Sequence, residues 1–265
     1  MTTTSRRRSS TAGRILWTPT ATPLQIPAGA AWIAALVLTM WLGTWPLAFV
    51  VAAAAAWAAF DLGSRWADEV DGADAPLAAL VAGLAPIAAA LHTAALGALI
   101  LAGVAVTLLG ASVQRRADSL MPQVGATMQS WLPVALATSS VVLAYRYEPG
   151  AAVWLIALAA IHDAGHYLVG ADAPQPWEGP IAAAFGVAVM SFALVTIGVP
   201  PLDLAAGLRF GAVAMVILPA GVVVASLLLP DGRLAAPGLR RIDSWLVFAP
   251  LWAWAMGREV AAAVT

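Results

Sequence analysis

His162 and His166 stand four residues apart, with Asp163 beside the first, in the segment HDAGHYLVGADAPQPWEG that closes an apolar stretch. On a helix the two imidazoles share one face, and Asp163 lies a residue round from it. Three kinds of chemistry use such a pattern. A di-iron centre needs several histidine boxes, and the whole chain holds 3 histidines, His92 included. Iron is excluded by counting. A zinc hydrolase of the HExxH type needs a glutamate base and a third ligand, and here Asp163 stands in the glutamate's place. A proton relay through His162, Asp163 and His166 in a small transporter stays open, as does plain hydrogen bonding at a membrane surface. An ionisable group at membrane depth is costly, so the segment marks a functional site by default.

The elements that must position these groups are apolar helices. The chain has 265 residues, of which 62% are hydrophobic and 10% charged, and a mean hydropathy of +0.86. A soluble domain carries about 25% charged residues, so the fold expected is all-α, a polytopic integral membrane protein. Cysteine is absent, which removes disulfides, thiolate nucleophiles and iron–sulfur clusters together. All 13 basic residues are arginine, which removes lysine Schiff bases and, with the alanine content, points to a GC-rich bacterial genome. No Walker-type phosphate loop occurs, and nothing supports nucleic-acid binding.

A transmembrane helix needs roughly 20 apolar residues. Ile26 to Phe60 is uncharged and reads as two spans hinged near Thr44–Pro46; Ala75 to Gln114 divides likewise near His92–Thr93. Further spans are expected at about 124–144, 150–170, 179–198, 207–229 and 243–262, which makes about nine in a single transmembrane domain over 26–265. Residues 1–25 read as a cytoplasmic Arg-rich tail. With the N-terminus inside, the tail and the loops 61–75, 112–123, 171–178 and 230–242 hold Arg6, Arg7, Arg8, Arg14, Arg65, Arg115, Arg116, Arg233, Arg240 and Arg241. The far side keeps Arg146, Arg209 and Arg258. This asymmetry orients a multi-pass protein of the bacterial inner membrane. It also puts the His162–Gly179 segment and the 230–242 loop on one cytoplasmic face. The tryptophans near span ends (Trp17, Trp32, Trp45, Trp177, Trp245) read as interfacial belts. His92 reads as packed or interfacial, and Asp68, Glu69, Asp71 and Asp74 as a solvated acidic loop.

Beyond the histidines, the segment resembles the middle of the bacterial phosphatidate cytidylyltransferases (CDP-diacylglycerol synthases). There a span ends in Asp-Thr-Gly-Ala-Tyr-Phe-x-Gly-Arg, and Ser-Pro-Lys-Lys-Thr-x-Glu-Gly opens the next. Asp163, Gly165, Tyr167 and Gly170 match the first pattern, and Pro174, Trp177, Glu178 and Gly179 the second. The run from Ser226 through Asp231, Pro237-Gly238 and Arg240-Arg241-Ile242-Asp243-Ser244 follows the family's C-terminal signature in order, with deletions. The resemblance covers about 130–255. It implies CMP transfer from CTP to a lipid phosphate with pyrophosphate release. It further implies Asp163 and Glu178 as acidic site groups, Arg233, Arg240 and Arg241 on phosphates, and Asp231 and Asp243 as carboxylates for Mg²⁺. Phosphatidate-like phospholipid and CTP are the expected partners, with a homodimer left open. The chain departs from the family where Val222 and Ala225 replace acids, Arg240 replaces the first aspartate of Asp-Arg-x-Asp, and both Ser-Pro lysines are missing. Those losses keep a second reading alive, a non-catalytic paralogue that binds lipid or a membrane partner.

Overall fold

The computed structural model describes residues 25–264 apart from 114–119, 176, 233 and 235, with side chains to Glu259. The tail expected over 1–25, apart from Gln25, therefore lies outside the described residues, together with Arg115, Arg116 and Arg233.

Among the described residues every regular element is a helix: α1 (Gln25–Leu42), α2 (Thr44–Ala67), α3 (Ala75–Leu91), α4 (Thr93–Val113), α5 (Leu120–Tyr147), α6 (Pro149–Gly170), α7 (Glu178–Thr196), α8 (Leu204–Leu228), the four-residue α9 (Pro237–Arg240) and α10 (Trp245–Val264). Six of them (α1, α2, α4, α6, α7 and α8) are long and apolar enough to cross a membrane. Both expected hinges are present. The first falls at Gly43, whose φ of 113° only glycine adopts readily, and the second at His92. His92 is exposed, and its Nδ1 accepts the Ala95 N–H at 3.0 Å, so it caps α4. Asp74 and Asp203 cap α3 and α8 in the same way, accepting from Leu77 and Ala206 at 2.8 and 2.7 Å. Asp74 is therefore a cap rather than loose loop charge. Helix α2 runs to Ala67, so Asp61 and Arg65, which the sequence places in a loop, lie on its last turns.

Polarity and burial are arranged for lipid. Large apolar side chains point outward, among them Trp41 (83% exposed), Phe185 (70%) and Val216 (74%). The helix richest in hydroxyls and amides, α5, is packed against α2, α3, α4, α6 and α10. Its hydroxyls return to the preceding turn: Ser130 donates to the Ala126 carbonyl, Thr138 to Val134 and Ser140 to Leu136, at 2.6 to 2.7 Å. Where no water reaches, such back-bonding satisfies the hydroxyl locally. Trp45 and Trp177 are exposed as the belt expectation has them, while Trp245 is not, and other tryptophans pack inside. Trp131 and Trp154 are fully buried, and their indole N–H groups donate to Thr107 Oγ1 at 3.2 Å and the Val199 carbonyl at 3.0 Å. Trp245 is also buried, tilted against Trp32 with ring centroids 5.9 Å apart. These rings are struts between helices.

One end of the bundle collects the connections that hold the polar residues. Trp66 of α2 and Gln129 of α5 both donate to the Leu228 carbonyl that ends α8, at 2.8 and 3.1 Å. The Gly238 N–H of α9 donates to Asp61 Oδ2 at 3.1 Å, and α9 sits on α2 so closely that a Cβ at Gly238 would lie 3.1 Å from the Ala58 Cα and the Trp57 carbonyl. At the start of α3, a Cβ on Gly63 would fall 2.8 Å from the Ala75 Cα. Gly97 on α4 is exposed, and a Cβ there meets nothing within 4 Å. The two sites therefore predict opposite outcomes for the same change. Gly63→Ala should lower stability in detergent by roughly 1–3 kcal/mol through overpacking. Gly97→Ala should be neutral or gain up to about 1 kcal/mol from helix propensity. Paired thermal unfolding curves read this directly, and equal shifts would contradict the packing described.

Candidate functional site

Asp163 lies on the last two turns of α6, one turn above Ala159 and Ala160, and is about 40% exposed. Its neighbour His162 is buried, 1% exposed, with Nδ1 at 3.1 Å from Asp163 Oδ1. The His162 and His166 rings stack nearly parallel, centroids 6.2 Å apart. So His162 is no bystander; it braces the carboxylate. The adjacent His-Asp pair was the available signal, because consecutive helical residues rarely interact unless one side chain is short enough to turn back.

Asp243 arrives from the other end of the sequence. Its position in a tight turn rather than inside the last helix follows from its own side chain. Oδ1 accepts the Ser244 backbone N–H at 2.8 Å, which ends the turn just before Trp245 opens α10. The Ser244 hydroxyl donates to Asp163 Oδ2 at 3.1 Å, so one serine ties both carboxylates together across 81 residues of sequence. Helix α8 makes room: a Cβ on Gly221 would strike the Asp243 carbonyl. Arg240, at the end of α9, is buried beside them. Its guanidinium donates to Ser226 Oγ at 3.0 Å and the Gly232 carbonyl at 3.1 Å, and Nη1 lies 3.8 Å from Asp243 Oδ2.

Burial dominates the electrostatics. It pushes the Asp243 carboxyl from 3.8 up to about 7, with Asp163 nearby acting in the same direction, while Arg240, His162 and the Ser244 N–H oppose the rise. Burial also lowers Arg240 below the usual guanidinium range, and the Asp243 charge offsets part of that.

Of the residues expected from sequence, Asp163, Arg240 and Asp243 come together. Arg241 follows directly, half-buried, with Nη1 3.6 Å from where a Cβ of Gly29 would be. Glu178 opens α7, where a carboxylate favours the helix N-terminus; among the described residues it makes no hydrogen bond to the cluster. Asp231 is exposed in the 229–236 connection, and Arg233 lies outside the described residues. Reading residues alone misses Ser226, Ser244 and Asp61, whose roles appear only once the helix ends meet. Among the described residues no group of three or more His, Cys, Asp or Glu is arranged to hold a metal ion. No protein-family model matches the chain, and no curated protein matches it significantly in sequence.

The raised Asp243 pKa has a definite consequence. A carboxyl that holds its proton more tightly folded than unfolded adds stability that is complete below about pH 4 and is lost as pH climbs through about 7. The stability difference between the wild type and Asp243→Asn should therefore change against the wild type between those limits and level off above them. Denaturant titrations from pH 4 to pH 8 test this; parallel curves would show that Asp243 titrates normally.

Proposed function

We infer that the chain is a phosphatidate cytidylyltransferase-like membrane protein, with nine spans in a CDP-diacylglycerol synthase-like arrangement and its polar end in the cytoplasm. The observation that carries this reading is the Ser244 bridge. It unites the two segments that resemble the family, at Asp163 and at Arg240–Ser244, in one buried polar cluster at one end of the bundle.

The reaction would form a bond between a phosphate oxygen of the lipid and the α-phosphorus of CTP, with the bond to the β-phosphate breaking and pyrophosphate leaving. Such chemistry asks little of the protein beyond positioning and charge neutralisation. Mg²⁺ keeps several waters and takes one or two carboxylates besides substrate phosphates. Asp163 and Asp243 supply hard oxygen donors of that kind, and they fit an ion arriving with the triphosphate better than the expected pair of Asp231 and Asp243. When bound, the ion would neutralise nucleotide phosphates. The chain's own part is to hold those carboxylates at fixed spacing through Ser244. It also provides the cations Arg240 and Arg241, with Arg233 nearby in sequence.

A second reading has its own observation. The Arg240 guanidinium already offers Asp243 a buried positive charge and is itself held by Ser226 and Gly232. A cluster satisfied internally suits a paralogue that keeps the scaffold to bind lipid without turnover.

Pyrophosphate release from CTP, with phosphatidate and Mg²⁺ in detergent, separates the two. Catalysis predicts turnover that Asp163→Asn or Asp243→Asn lowers about a hundredfold or more, the scale of losing a positioned charge interaction. Purified, folded protein that retains anionic lipid but releases no pyrophosphate would establish the non-catalytic reading instead.

A further inference from the structure

The two carboxylates of the cluster differ in what can reach them. Asp163 is about 40% exposed, whereas the Asp243 side chain is only 7% exposed. Ser244 occupies one oxygen of each, its hydroxyl donating to Asp163 Oδ2 and its N–H to Asp243 Oδ1. The Asp243 oxygen left over is Oδ2, and it faces Arg240 Nη1 at 3.8 Å. Any ligand for that oxygen meets the guanidinium first. Neutral oxygens hold Arg240 close: Nη2 donates to Ser226 Oγ at 3.0 Å and to the Gly232 carbonyl at 3.1 Å. The approach to Asp243 is longer than the roughly 2.7–2.9 Å of a tight charge-assisted pair. The backbone beneath the side chain is fixed. Leu239 and Ile242 are fully buried, and Gly238 rests on the backbone of α2 with its N–H on Asp61. What can move is the side chain alone, swinging on its own stem while α9 stays in place.

A bare divalent ion and a polyphosphate meet this arrangement differently. An ion approaching Oδ2 comes up beside a guanidinium, and two positive charges about 4 Å apart repel strongly away from water. It gives Arg240 no new acceptor. A polyphosphate does, presenting the planar guanidinium with a forked pair of charged oxygens, a better match than a hydroxyl and a carbonyl. We propose that Arg240 is a gate on Asp243: its guanidinium swings onto a polyphosphate when one arrives, and only then does the carboxylate accept a divalent ion. The proposal rests on the reading above in taking a polyphosphate and a divalent ion as the ligands. The gate sets their order, with the polyphosphate arriving before the ion or together with it.

Mn²⁺ serves as the probe, its binding to the full chain in detergent followed by water-proton relaxation. The free ion should bind Arg240→Gln at least about tenfold more tightly than the wild type, the scale of removing one like charge at this distance. That gain should disappear when Arg240→Gln is combined with Asp243→Asn. Supplied as its inorganic tripolyphosphate complex, Mn²⁺ should bind the wild type about tenfold better than the free ion does, and Asp243→Asn should lose that advantage. Should Arg240→Gln fail to fold with Asp243 left unpaired, Ser226→Ala loosens the guanidinium, keeps both charges and should give a smaller gain in the same direction. Equal binding of free Mn²⁺ by the wild type and these variants, a gain that survives Asp243→Asn, or no advantage of the complex over the free ion would each overturn the gate. Pyrophosphate release keeps the two ideas apart. Turnover by a protein whose free Mn²⁺ binding is unchanged in Arg240→Gln sinks the gate and leaves catalysis standing. A gate that opens to tripolyphosphate in a protein that releases no pyrophosphate stands, and only catalysis is lost.

Discussion

In hydrocarbon, helices gain nothing from hiding apolar surface, so their association depends on how closely backbones approach. That constraint organises this protein. At the α2–α3 seam a Cβ on Gly63 would fall 2.8 Å from the Ala75 Cα, and one on Gly83 would lie 3.1 Å from the Ala56 Cβ. At the crossing of α6 and α7, a Cβ on Gly170 would come 2.9 Å from the Gly179 Cα. The same closeness fixes the polar end: α9 rests on the backbone of α2, and Gly221 lets the Asp243 turn press into α8. Arg240, Asp243 and Ser244 then have their positions set by contacts that contain almost no side chain. The chemistry sits on a frame of methyl groups and hydrogens.

Within that frame the cluster is economical in charge. Two carboxylates share one serine as donor, through its amide and its hydroxyl. One guanidinium stands beside the more buried acid. Burial alone would favour the neutral forms of Asp243 and Arg240, so the two hold as a pair in which each offsets part of the other's desolvation.

Much of this was legible from the residues alone. Uncharged runs located the helices to within a few positions, because in lipid an interrupted apolar run is an interrupted span. The hinge at His92 was readable from a lone polar residue in such a run, while the first corner lies at Gly43 rather than at Pro46. The pairing of the His162 and Ser244 segments on one end was readable from arginine asymmetry and motif order. What sequence could not supply were contacts made by ordinary residues at unremarked positions. Asp61 looks like loop charge until α2 is seen to run to Ala67 and receive Gly238. Trp245 looks like an interface anchor, since hydropathy does not distinguish a ring facing headgroups from one packed between helices. Asp231 and Asp243 look alike in sequence, yet one is exposed and the other 5% exposed, a difference created wholly by the turn at Ser244.

The two hydrogen bonds that the Leu228 carbonyl accepts bear on how such a chain tolerates insertions and deletions. A helix end usually depends on the loop after it to satisfy the last carbonyls. Here Trp66 and Gln129, from two other helices, fill both lone pairs of that oxygen. The stretch after Leu229 therefore carries no duty in terminating α8, while α9 beyond it is anchored separately to Asp61. What that stretch does hold is Arg240, through the Gly232 carbonyl, so a change of length there disturbs the polar cluster before it disturbs either anchor.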